Sequence, residues 1–153
     1  MRKILIALAA SVVVASPALA NEGRIEARAG VYWDGATTED AYGVAAGYDF
    51  DLGKTAFAGV EVSGDKIATT GTKVAFGVTG RLGTRISETG KLFVAGGYTS
   101  EPCNLCEDAT HLGAGFEAGF SNNLYAKIEY RHYFVNGGFA ESDAEMVGLG
   151  TKF

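Results

Sequence analysis

The sequence predicts an all-β fold: an eight-stranded antiparallel up-and-down transmembrane β-barrel that follows an N-terminal export segment. Three observations predict it. Residues 1–20 read as a secretory signal. From Arg24 onward apolar residues alternate with polar ones, the period of a strand between two different environments. Glycine and charge then collect on one face of those strands and are excluded from the other.

The export segment comes first. Arg2 and Lys3 provide positive charge, an uncharged apolar stretch runs from Ile4 to Ala15, and Ser16-Pro17 breaks it. Ala18-Leu19-Ala20 gives the small residues a signal peptidase requires, so cleavage is expected after Ala20. The apolar run is shorter than the ~20 residues that span a bilayer. The mature domain is then residues 21–153. Arg2 and Lys3 are two of the 13 basic residues, so 11 remain against 18 acidic ones, a net charge of −7. An acidic chain has no electrostatic basis for binding nucleic acid. No second apolar stretch is long enough for a transmembrane helix, so crossing a membrane falls to strands.

Eight alternating segments follow. Ile25, Ala27, Ala29, Val31 and Trp33 share one face against Arg24, Glu26, Arg28, Gly30 and Tyr32. The same pattern recurs around Val44–Phe50, Ala56–Val62, Val74–Leu82, Leu92–Tyr98, Leu112–Phe120, Ala126–Phe134 and Val147–Phe153. Segments of about ten residues suit tilted strands crossing a bilayer. The intervening stretches 34–40, 51–54, 64–72, 83–90, 100–109, 121–123 and 135–143 read as connectors.

Alternation alone does not say which face is inside. Eleven strand glycines share the charged face and only Gly80 and Gly96 the apolar one. Glycine weakens a strand, but it leaves room for long neighbouring side chains in a narrow barrel. The apolar face, as the strands are drawn, carries no Asp, Glu, Lys or Arg, and an Arg or Lys facing mid-bilayer lipid costs about 2–4 kcal/mol. Trp33, Tyr48, Phe50, Tyr98, Phe120, Phe134 and Phe153 lie near strand ends on that face, as interfacial aromatic girdles do. The glycine face is therefore the interior and the apolar face meets lipid.

The expected interior charges are Arg24, Glu26, Arg28, Asp49, Glu61, Lys73, Arg81, Glu117, Lys127, Glu129, Arg131 and Lys152, seven basic and five acidic. Buried charges must pair, so they are expected to form a hydrogen-bonded network that plugs the barrel. Eight strands enclose only enough space for their own side chains, which disfavours a narrow small-solute pore.

The stretch Ile128-Glu129-Tyr130-Arg131-His132-Tyr133, a short acidic connector, and Val147-Gly148-Leu149-Gly150-Thr151-Lys152-Phe153 resemble the last hairpin of the OmpA/opacity-type small outer-membrane barrel family. That resemblance implies a porin-like eight-stranded barrel in the bacterial outer membrane, in contact with membrane lipid and lipopolysaccharide. It also implies that Val147, Leu149, Thr151 and Phe153 act as the C-terminal signal read by the barrel-assembly machinery. Both chain ends would then face the periplasm. No peptidoglycan-binding domain follows the barrel pattern, so that family function is not expected.

Cys103 and Cys106, three apart in one outward connector, are expected to form a loop disulfide after export. A redox CxxC would need a βαβ context, and a metal site built on Cys103, Cys106 and His111 lacks a diagnostic spacing. No metal or cofactor is expected. The segment Arg131-His132-Tyr133-Phe134-Val135-Asn136 is similar to the lipid A deacylase family, which uses a His-x-Ser pair on its lipid-facing surface. Phe134 stands at the serine position here, so the acyl acceptor is missing. A non-enzymatic envelope or surface-contact protein with short acidic loops is the expected function, and a lipid-modifying barrel enzyme the alternative.

Overall fold

The computed structural model describes residues 21–138 and 140–153; the export segment, residues 1–20, lies outside the described residues. Eight strands run in sequence: β1 (Glu22–Trp33), β2 (Thr38–Asp51), β3 (Ala56–Ile67), β4 (Ala75–Arg85), β5 (Gly90–Thr99), β6 (Ala109–Gly119), β7 (Leu124–Val135) and β8 (Ser142–Lys152). Each pairs antiparallel with the next, and β8 pairs with β1 to close the barrel. Closure satisfies every strand edge, which a lipid environment demands because it offers no hydrogen-bond partners to bare backbone.

Both chain ends lie at one end of the barrel, where Gly23 and Phe153 exchange backbone hydrogen bonds of 2.9 Å. This terminal end has three tight connectors, 52–55, 86–89 and 120–123. The opposite, loop end carries 34–37, 68–74, 100–108 and 136–141, the last containing a 3-10 turn over Asn136–Gly138.

Strands are longer than the alternation alone suggests, chiefly at the loop end. β2 begins at Thr38 and β8 at Ser142, so segments expected in connectors belong to the ladder. Strand pairing needs no lipid, and the ladder continues past the apolar band into water. One consequence corrects the uncharged outer face. Asp40 and Glu145 point outward, both opposite Val31 on the neighbouring strand. They stand at the loop end, beyond the band of Val44, Val62, Val78, Val94, Leu112, Ile128 and Val147 that is exposed around the barrel.

Burial otherwise follows the alternation in reverse of a soluble protein. The outward aliphatic side chains are exposed, while Arg24, Glu26, Asp49, Glu61, Arg81, Glu117, Lys127, Glu129 and Arg131 are each no more than 5 % exposed. Among the described residues, Phe57, Phe93 and Ala95 form a buried apolar cluster. Glycine makes this filling possible. A Cβ at Gly47 would stand 2.6 Å from Arg24 Nη2, and one at Gly150 would stand 2.5 Å from Tyr125 Cζ. Arginine and tyrosine lie across the neighbouring strand where those side chains are missing.

Candidate functional site

The interior builds upward from the terminal end. There Lys91 Nζ contacts Glu22 at 2.5 Å and Asp49 at 3.2 Å, and Lys152 Nζ contacts Glu117 at 2.6 Å and Glu22 at 3.4 Å. Arg81 donates to both Asp49 carboxylate oxygens and to Glu117. Its guanidinium lies 5.1 Å from the Phe57 ring centroid and 4.9 Å from that of Phe93, so a cation packs between two aromatic faces.

Midway along the barrel, Glu61 of β3 is the hub. Its carboxylate meets Arg24 at 2.9 Å, Arg28 at 2.9 Å, Arg131 at 2.8 Å and Lys127 at 3.5 Å. Lys127 also reaches Glu26 at 2.5 Å and Glu129 at 3.0 Å. Tyr125 donates its hydroxyl to Glu26 at 2.8 Å. Arg24 links this tier to the lower one through Asp49 at 3.8 Å. It meets Glu61 as an ion contact rather than as a directed hydrogen bond. Above the hub, Arg28 donates to both oxygens of Asp65, and Arg131 to Glu129.

Eleven of the twelve expected interior charges lie in this network. Lys73 does not. It precedes β4 at the loop end, its side chain is 41 % exposed, and it pairs with Glu101 at 2.8 Å. Its alternation parity is inward, but the strand has not begun at that height. Conversely, Glu22, Asp65 and Lys91 belong to the network and were missed. Each is the next inward-parity position beyond those drawn from the sequence. At the rim Asp51 is likewise one step past Asp49, and its partner Arg85, at 2.5 Å, is two steps past Arg81. Extending the alternation by one step finds Glu22, Asp65, Lys91 and Asp51, and a second step finds Arg85. It also balances the charge: Arg24, Arg28, Arg81, Lys91, Lys127, Arg131 and Lys152 face Glu22, Glu26, Asp49, Glu61, Asp65, Glu117 and Glu129. Asp65, inside the stretch 64–72 that reads as a connector, is instead on β3 and held by Arg28.

Over this layer the barrel opens into a vestibule of about 280 Å³ at the loop end. Its floor includes Arg28, Asp65 and Arg131, and its walls Tyr32, Tyr133, Ala41, Ala75, Ala109, Ala144 and Met146. His111, below, bridges Thr79 and Thr99 by hydrogen bonds of 3.0 and 3.1 Å and stacks against Tyr133. His111 therefore serves the barrel interior and is not gathered with the cysteines. Cys103 and Cys106 are joined as a disulfide with Cα atoms 5.0 Å apart. Their loop is tied to 68–74 by the Thr72–Cys103 bridge and by Lys73 N–H donating to Pro102 O at 2.8 Å. Among the described residues no cluster of three or more His, Cys, Asp or Glu is arranged to hold a metal.

On the outer surface, His132 lies against the Phe134 ring, with centroids 4.6 Å apart. Its Nδ1 is 2.7 Å from Asp143 Oδ1 and its Nε2 3.3 Å from Glu141. Tyr130 donates to the same Asp143 oxygen. Among the described residues, the hydrogen-bond and ion-pair partners of His132 are carboxylates, with no serine or threonine hydroxyl. Val147 and Leu149 are exposed on the outward face of β8 with Thr151 in line, and Phe153, just past the strand, is exposed as well.

No protein-family model matches this chain, and no curated protein matches it. Solved structures do. The N-terminal β-barrel domain of Pseudomonas aeruginosa OprF superposes with a TM-score of 0.67 at 15 % identity, covering 86 % of this chain and 97 % of that one. Ail, the attachment invasion locus protein of Yersinia pestis, gives 0.58 at 14 % identity, covering 87 % and 97 %. The outer membrane enzyme PagL gives 0.60 at 12 % identity, covering 83 % and 97 %. At such identities the likeness concerns architecture. The fold of this chain is that of the small eight-stranded outer-membrane β-barrels.

Proposed function

We propose that this chain is a non-enzymatic outer-membrane barrel whose interior is closed by its own ion pairs, and that it serves envelope structure or surface contact through its short loops. The observation that carries this reading is the balanced charge layer around Glu61. It spans the barrel between the terminal end and the vestibule, and each carboxylate in it has a cationic partner. A solute path would have to break pairs whose separation leaves uncompensated buried charge. Its partners in this reading are lipid and lipopolysaccharide along the apolar face, and the assembly machinery that reads Val147, Leu149, Thr151 and Phe153 during insertion.

Two measurements test it. In membranes from cells expressing the full chain, the protein is expected in the outer-membrane fraction with different electrophoretic mobility before and after boiling in detergent. In planar bilayers, the purified barrel is expected to give no steady conductance. A soluble location with unchanged mobility overturns the membrane assignment, and stable nanosiemens channels overturn the plug.

One observation favours a second reading, a lipid-modifying enzyme: His132 is oriented by Asp143 on the outer surface. The residue two positions on is Phe134, which offers no nucleophile. Lipid A mass in expressing cells distinguishes the two, because loss of an acyl chain requires the enzyme.

A further inference from the structure

We infer that the vestibule at the loop end is a binding cup for a small uncharged phenol or aryl alcohol taken from the outside medium.

The shape of the cup comes from one tier of the barrel. Ala41, Ala75, Ala109 and Ala144 lie on β2, β4, β6 and β8, so every even strand presents an alanine toward this space. Lower in the barrel the same strands carry Asp49, Arg81 and Glu117, which fill it. The step from long charged side chains to alanine opens about 280 Å³, near the small end of ligand pockets at about 300–1,000 Å³. Tyr32 and Tyr133 stand on one wall with ring centroids 5.9 Å apart and planes tilted by 55°, and Met146 adds a polarisable thioether. An aromatic ring gains edge and face contacts there.

The floor selects against charge. Arg28 is occupied by Asp65 and Glu61, and Arg131 by Glu129 and Glu61. At the floor an incoming ion would find its opposite charges already paired and would lose its hydration for little return. Asp34, Lys66 and Glu107 also line the cup, with Asp34 held by Ala36 and Thr37 and Lys66 by Thr72. The Tyr32 hydroxyl is hydrogen-bonded to Ser142, whereas the Tyr133 hydroxyl has no hydrogen-bond partner among the described residues. Lining the cup without a protein partner, it can pair with the hydroxyl of a ligand. The layer below closes the cup, so it is entered and left from the same side. This inference is independent of the envelope role proposed above, because it concerns the isolated barrel.

The test uses the full chain refolded into phosphatidylcholine nanodiscs with ¹³C-methyl methionine. The chain has two methionines, Met1 and Met146, and the Met146 signal is identified by its loss in Met146→Leu. Titration with p-cresol is expected to shift the Met146 methyl saturably and to give nuclear Overhauser contacts between that methyl and the cresol ring. Ala144→Phe and Ala109→Phe, which fill the cup, should abolish the shift. Tyr133→Phe should weaken binding about five- to tenfold. Benzoate should leave the signal unmoved. Absence of the Overhauser contact in folded wild-type protein overturns the inference without recourse to any variant. So does a shift that survives in a folded, filled variant. Benzoate binding as tight as p-cresol overturns the selection for a neutral ligand.

Discussion

Glu61→Gln perturbs the barrel at its most connected point. The substitution keeps the volume and one acceptor oxygen but removes the charge that meets Arg24, Arg28, Arg131 and Lys127 within 3.5 Å. Those four cations are balanced by Glu26, Asp65, Glu129 and Glu61 itself, so the variant leaves one surplus positive charge in a fully buried tier. Removing one partner of a buried ion pair costs about 3–5 kcal/mol. The retained amide oxygen places the expected loss near the lower bound, about 3 kcal/mol. Lys73→Gln is the matched control. It breaks the Lys73–Glu101 pair at the exposed rim, and such a pair is worth ~1 kcal/mol or less. The assay is urea unfolding of the refolded barrel, followed by heat-modifiable mobility and by the fluorescence of Trp33, the single tryptophan. Combining Glu61→Gln with Arg131→Met restores balance, because Glu129 keeps Lys127 at 3.0 Å. The double variant should then recover at least ~1 kcal/mol relative to the sum of the singles. The reasoning is refuted if Glu61→Gln costs no more than Lys73→Gln, or if the double variant is simply additive.

Four further outcomes are expected. Gly47→Ala should destabilise the barrel by about 1–3 kcal/mol in the same urea assay, because its Cβ meets Arg24 Nη2 at 2.6 Å and Val60 O at 2.9 Å. Gly80→Ala should be neutral or stabilising by up to ~1 kcal/mol, since the nearest atom is 3.8 Å away. Replacing Cys103 and Cys106 by serine should leave the barrel folded and cost at most about 2 kcal/mol, read from the urea midpoint. The Asp34 carboxyl accepts the N–H groups of Ala36 and Thr37 at 3.0 and 2.9 Å, which holds it below the usual aspartate range. A depressed carboxyl stabilises the turn above its unfolded pKa and loses that effect as pH falls through the folded value. The Ala36 and Thr37 amide resonances should therefore titrate with a midpoint below that of an unstructured aspartate; a midpoint at or above it would exclude those hydrogen bonds.

The sequence by itself determined the strand count, the all-antiparallel order and the inside-out orientation, because a period of two forces each side chain to one of two faces. Glycine and charge marked one of those faces. It also determined which residues can face inward, since parity survives any error in strand ends. The ends themselves were not legible. Val31, Asp40 and Glu145 stand side by side across three strands, and nothing in the local pattern says that a ladder continues where the apolar band has stopped. That is why Lys73 was placed inside, why Glu22, Asp65 and Lys91 were left out, and why the expected interior carried excess positive charge. Only the tertiary structure decided the pairing itself. Glu61 meets Arg131 across 70 positions, and that contact depends on the register of strands closed into one narrow ring. The vestibule was equally invisible in sequence. An alanine on one strand signals nothing, while four at one height around a closed barrel leave a cup, and height around a barrel is set by stagger between strands, not by position along the chain.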